Sequence, residues 1–179
     1  MSEEQFRGYL SRLEFKDGEI LLGGNRYMLM PVAWIRDVMM ETENIMGVGG
    51  TFALFDNASR STTPAEETLV AFKDLPFEHK IGAFLSVSAL TGFGKLEVIE
   101  ISKEPFKIKI KNPSPVFGDA YEGKADSPRC YFNASILLYI EAIAKMDGIN
   151  EPLKISEEQC KAMGASHCVM VIEIDRGFE

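Results

Sequence analysis

Residues 95–111 read KLEVIEISKEPFKIKIK, and apolar and polar side chains there alternate with period two. That spacing suits a strand with one buried face, and it cannot be carried by a helix. Phe106, Ile108 and Ile110 fall on one face, and Lys107, Lys109 and Lys111 on the other. The short KEP connection makes the two runs a hairpin. Everything else in the chain has to be arranged around this sheet.

The residues before the hairpin are mostly helical, over 31–92. Pro31 suits a first helical turn, and Trp34, Ile35, Val38, Met39 and Ile45 recur at helical spacing. Gly47, Gly49 and Gly50 interrupt that helix, and TFALFDNASR (51–60) begins a second one. Thr63 and Pro64 read as N-cap and first helical residue of a third. PFEHKIGAFLSVSALTGFG (76–94) is a fourth, closed by Gly92 or Gly94. Asp17-Gly18, between two apolar runs, marks an opening hairpin. After a Pro- and Gly-rich loop, RCYFNASILLYIEAIAKMDG (129–148) is a long helix ending at Gly148. LKISEEQCKAM and CVMVIEID then form a closing hairpin.

Hairpin, helices, hairpin, helix, hairpin is the order of an α+β domain, an antiparallel sheet with helices packed on one face. With no repeat or linker, residues 1–179 read as one domain.

Net charge is −8, from 27 acidic and 19 basic residues, which argues against a nucleic-acid partner. No apolar run reaches the roughly 18–20 residues that span a bilayer. The opening MSEEQFRGYL does not read as a secretory signal, so three reduced cysteines in a cytoplasm are expected.

Two of those cysteines, Cys160 and Cys168, flank the last turn. A hairpin can bring two thiolates toward one point, as in half of a zinc site, but the spacing exceeds the usual knuckle. Small buried thiols fit the same pattern, and from spacing alone both readings stand. Cys130, Glu157, Glu158, His79 and His167 are the other candidate ligands; the two histidines read more simply as surface residues. Neither MGVGG (46–50) nor TGFGK (91–95) has the context of a phosphate-binding loop, and no hydrolase or kinase motif is present.

The segment EEQCKAMGASHC followed by VMVI carries Glu157, Cys160, Gly164 and Cys168 as Glu-x-x-Cys-x-x-x-Gly-x-x-x-Cys before an apolar strand. It resembles the closing motif of the 4-vinyl-reductase domain family. Cys130, opening the preceding helix, and the passage SALTGFGKLEV resemble the same family. Its members include sensor domains of aromatic-responsive regulators and small hydrocarbon-binding proteins, and the fold is similar to palmitate-holding subunits of vesicle-tethering complexes.

The resemblance implies a structural zinc held by Cys130, Glu157, Cys160 and Cys168. Three thiolates and a carboxylate around a dication leave a charge of −2, which the N-terminal end of the helix after Cys130 and the neighbouring Arg129 would offset. It also implies a pocket for a small hydrophobic molecule, with Trp34, Phe52, Phe55, Phe84 and Phe93 as candidate lining, and a homodimer with a signalling or regulatory protein partner. The expected function is a cytosolic, non-enzymatic binding or sensor domain. The alternatives are a reductase or accessory protein in tetrapyrrole or cofactor metabolism, and a protein-interaction module.

Overall fold

The computed structural model describes residues 11–22, 25–61, 73–90, 92–121 and 123–177. Three short strands, β1 (Glu14–Lys16), β2 (Glu19–Leu22) and β3 (Asn25–Tyr27), form an antiparallel meander. Asp17 and Gly18, both at positive φ, make the first turn, as the Asp-Gly pair predicts. The third strand was not expected from the sequence. It has only three residues and no alternation to announce it.

Helix α1 (Val32–Ser61) is broken at Gly47, whose φ of 71° and ψ of 172° lie outside the helical region. The predicted interruption is therefore real, and one glycine makes it. Thr51 Oγ1 donates to the Gly47 carbonyl at 2.9 Å and satisfies an acceptor the break exposes. Thr63 and Pro64 lie outside the described residues.

Helix α2 (Phe77–Leu90) ends in a Schellman pattern: Phe93 N–H donates to the Ser88 carbonyl and Gly92 N–H to that of Ala89, both at 3.2 Å. Gly92, at φ 89°, is the helix stop, and Gly94 has a different task.

The main sheet has the order β4-β5-β7-β6, all antiparallel: β4 (Glu97–Lys103), β5 (Phe106–Asn112), β6 (Leu153–Gln159) and β7 (Cys168–Ile174). Helix α3 (Asn133–Met146) enters between β5 and β6 in the chain. The predicted alternation holds on β5, where Phe106, Ile108 and Ile110 are buried. With Met170 and Ile172 they meet Phe77, Ile81, Phe84 and Leu85 of α2 and Ile136, Ile140 and Ile143 of α3. The α3 residues recur at helical spacing and so form one stripe. The chain is thus an α+β fold with helices on one face of its larger sheet.

On the other face, Val169 and Val171 are nonetheless buried. Lys109 of β5 pairs with Val171, and its ammonium reaches Glu158 of β6 at 2.8 Å. To get there its stem must cross over β7, covering apolar surface while its head stays among carboxylates.

The helical stripe read on the first half of α1 is only partly inward. Met39 is buried, but Val38 and Ile45 face outward and Trp34 is 55% exposed. No helix among the described residues is long and apolar enough to cross a membrane.

Candidate metal centre and adjoining groove

The closing hairpin and the segment before α3 converge on one point. A register shift between Glu157 and Gln159 lets Glu157, opposite the core residue Met170, face inward while Glu158 reaches Lys109 outside. Cys160 ends the strand in extended geometry, a 3-10 turn follows over Lys161–Met163, and Gly164 closes it at φ 99°. This left-handed position explains the glycine of the sequence motif. A side chain at Gly123 would meet the Gly164 Cα at 3.0 Å, so the two loops pack backbone to backbone. Cys168 opens β7, and Cys130 lies three residues before the first residue of α3.

The ligating atoms of Cys130, Glu157, Cys160 and Cys168 all lie within 4.8 Å of one another. The three cysteines are free and buried, and the sulfurs of Cys130 and Cys168 are 3.2 Å apart. A tetrahedral zinc with bonds of about 2.3 Å sets its thiolates roughly 3.8 Å apart, so the cluster has the size of an ion site, with Cys130 and Cys168 closer together than a bound ion would hold them. Both oxygens of Glu157 are buried with no hydrogen-bond partner. An acid in that position calls for a cation, and the four side chains could hold a metal ion.

The electrostatics agree. Burial, aided by the charge of Cys160, pushes the Glu157 carboxyl up to about 7, against the neighbouring thiols of Cys130 and Cys168, which lower it. Cys160 is driven down by hydrogen bonds from the other two thiols, with further help from backbone bonds at Arg129 and Ala162. Cys130 is held far above the ordinary thiol range by the same sulfur contacts and by burial. Without a cation Cys130 and Cys168 keep their protons while Cys160 gives its own up; a dication would replace the protons that remain. Lys161 N–H donates to the Cys168 sulfur at 3.3 Å.

Arg129 does not serve the cluster in the way its position in the sequence suggests. Its guanidinium points to Glu43 at 3.0 Å and Asp126 at 2.9 Å, so its contribution to the sulfurs is the backbone bond to Cys160. Glu43 also accepts from the hydroxyls of Tyr121 and Tyr131, at 2.6 Å each. No motif marks Glu43, because its partners come from 78 to 88 residues away. His79 and His167 are not in the cluster; His167 is hydrogen-bonded to Ser166.

The five candidate pocket residues do not share one cavity. Trp34 is at the surface. Phe84 is in the main core, stacked on Tyr139 at 4.4 Å, and Phe93 stacks on Phe132 at 3.9 Å. Phe52 and Phe55 pack on Tyr131. Of the five, only Phe52 faces the large opening, a groove of about 520 Å³ between the second half of α1, the start of α3 and β6. Val48, Ala53, Leu137 and Ile155 supply its apolar walls, and Glu157 of the metal cluster lies at its edge. Phe93 borders a separate void of about 20 Å³.

No protein-family model and no curated protein sequence matches the chain. Solved structures do. The phenol-responsive sensory domain of the transcription activator PoxR, solved with phenol, aligns with a TM-score of 0.79 over 97% of this chain and 92% of that one, at 16% identity. Trafficking protein particle complex subunit 3 from Naegleria fowleri, covalently bound to palmitic acid, aligns over 84% of this chain and 86% of that one, at 14% identity. Its TM-score of 0.40 is too low to carry an argument. The chain thus shares the fold of a small-molecule sensory domain.

Proposed function

We propose that this chain is a metal-clipped binding domain of the sensory type, which takes a small apolar molecule in the groove between α1, α3 and β6. One observation carries the reading: Glu157 belongs both to the Cys/Glu cluster and to the wall of the groove. The likeness of fold to the PoxR sensory domain supports it. A groove of about 520 Å³ lies within the usual size range of ligand pockets.

Zinc is the ion this donor set favours, since three thiolates and a carboxylate are soft enough for it and complete a tetrahedron. With no position left open its role is structural, joining the closing hairpin to the start of α3. The four residues and their motif support membership of the 4-vinyl-reductase-like domains, and the whole chain is read as one such domain acting in the cytoplasm. Its output passes through a partner or a second copy. An exposed apolar strip from β3 into α1, including Met28, Leu29, Val32 and Trp34, supports self-association.

Native mass spectrometry of unstripped protein tests this. The expected result is one zinc per chain, lost in Cys160→Ser, together with a co-purified or added apolar molecule. A chain that carries no metal when purified without chelators, and binds no apolar molecule, would sink the proposal.

A further inference from the structure

Two sulfurs of the cluster are nearer to each other than an ion requires. Cys130 Sγ and Cys168 Sγ lie 3.2 Å apart, against the roughly 3.8 Å that a tetrahedral zinc sets between thiolates. A disulfide bond is about 2.05 Å long, so a further approach of roughly 1.2 Å would join them.

The two sulfurs come from different parts of the fold. Cys130 precedes α3 and Cys168 opens β7, whereas Glu157 lies on β6 and Cys160 directly follows it. An ion on all four ties the start of α3 to both strands. A disulfide between Cys130 and Cys168 keeps the tie to β7 and gives up the one to β6. Through Ile155, Ser156 and Glu157, β6 is also a wall of the large groove.

Access limits what can oxidise the pair. Cys168 has no exposed surface, while Cys130 is 7% exposed and borders the void of about 20 Å³. A space of that size admits a molecule close to the size of water. The attacking sulfur has to meet the oxidant, but the second sulfur meets only the first. Cys130 therefore attacks and Cys168 resolves.

We infer that the cluster is a peroxide-sensitive clip: hydrogen peroxide converts Cys130 and Cys168 to a disulfide, the metal is released, and β6 loses its tie to the start of α3. This rests on the four residues holding an ion. The Cys130 thiolate attacks one peroxide oxygen, the O–O bond breaks, a sulfenic acid forms and hydroxide departs. The Cys168 thiolate displaces the second hydroxide from that sulfur, and the S–S bond forms. The two thiolates give up two electrons, the peroxide takes them, and two protons from solvent turn both hydroxides into water. Cys160 and Glu157 remain, half of the four donors a closed zinc site needs.

Zinc-loaded chain treated in parallel with hydrogen peroxide, cumene hydroperoxide and oxidised glutathione tests it. Released zinc is read with a chromogenic chelator, peptide mapping locates the disulfide, and hydrogen exchange follows the strands. Hydrogen peroxide should release one zinc for each Cys130–Cys168 disulfide formed, and the two bulkier oxidants none over the same period. Amides of β6 should then exchange faster, with those of β7 unchanged. Zinc retained after the exposed Met28 has been oxidised, zinc released without that disulfide, or a disulfide that includes Cys160 overturns the inference and leaves the metal site standing. Equal release by the bulkier oxidants overturns it as well. A chain that holds no zinc before treatment overturns the metal reading together with it.

Discussion

Arg129 Nε donates to Glu43 Oε1 at 3.0 Å and joins the first half of α1 to the residue beside Cys130. Tyr121 and Tyr131 donate to the other oxygen, so one carboxylate gathers three donors from the segment that leads into the metal cluster. Arg129 and Tyr131 are buried, and the Glu43 side chain is nearly so. The first half of α1 is therefore tied to the segment that carries Cys130 of the Cys/Glu cluster.

Glu43→Gln should cost about 2 kcal/mol in urea denaturation, the value of charge-assisted hydrogen bonds to a mostly buried carboxylate. Metal affinity should fall about tenfold, because the segment carrying Cys130 loses its outer support. Burial pushes the Glu43 carboxyl up, but the bonds from Tyr121, Tyr131 and Arg129 outweigh it and hold it below the usual range. A group lowered on folding stabilises above its unfolded pKa, and that contribution is lost as pH falls through the folded one. The difference between wild type and Glu43→Gln should thus be full at neutral pH and shrink in acid. A difference that is constant with pH contradicts this.

Glu157 has the opposite sign. In metal-free protein its carboxyl is raised from 4.5 to about 7. Between those values the unfolded chain has released a proton that the folded chain still holds, so ionisation favours unfolding. Chelator-stripped protein should therefore lose stability between pH 4.5 and 7, and stripped Glu157→Gln should lose less over that window. Metal reverses the trend, because it needs the ionised carboxylate and thiolates: loading should raise the melting temperature more at pH 7.5 than at pH 5.5. Thermal melts at the two pH values, with and without zinc, check it. A metal effect independent of pH would remove Glu157 from the ligand set.

How much of this could be read in the sequence depended on the range of the interaction. The alternation of Phe106, Ile108 and Ile110 is local, and it gave the buried face of β5 correctly. The four residues of the cluster were named through a motif whose glycine, Gly164, does what the turn requires. Apolar spacing misled on Trp34, because a helical stripe says which residues share a face and not whether anything covers it. Likewise, a supply of aromatic residues gave no pocket: Phe84 stacks on Tyr139 and Phe93 on Phe132, and both partners are set by tertiary packing. Glu43 carries no signal at all, since it gains its role from donors distant in the chain.

Gly94 shows the same limit at a single residue. Its spacing from α2 suits a helix stop, but Gly92 performs that task. At Gly94 a β-carbon would sit 2.7 Å from the Asn112 side-chain oxygen and 2.7 Å from the Ser114 carbonyl, at a φ of 103°. The second contact is with backbone, so it cannot be relieved by a rotamer change. Gly94→Ala should cost about 2–4 kcal/mol, from positive-φ strain plus the clash. Gly148→Ala, also at positive φ but in open space, isolates the strain alone and should cost less. Equal losses in urea denaturation would mean that the clash is relaxed and that the loop before β4 is looser than its packing implies.

The strip from β3 into α1 exposes Leu29 at 80% and Ile45 at 81%, with Trp34 within it. Large apolar side chains clustered on a surface stabilise an assembly when they are removed from water, at about 25 cal/mol per Å². Trp34 is the one tryptophan in the sequence and reports on the strip directly. If two copies pair through it, dilution should shift the Trp34 emission to the red as its ring returns to water. Leu29→Glu should give a monomer of unchanged fold, because that side chain is largely exposed in the single chain and a charge is costly only at a dry interface. Sedimentation velocity of wild type and variant decides it. A wild type that sediments as a 19.9 kDa species at every concentration leaves the strip without a second copy to cover it.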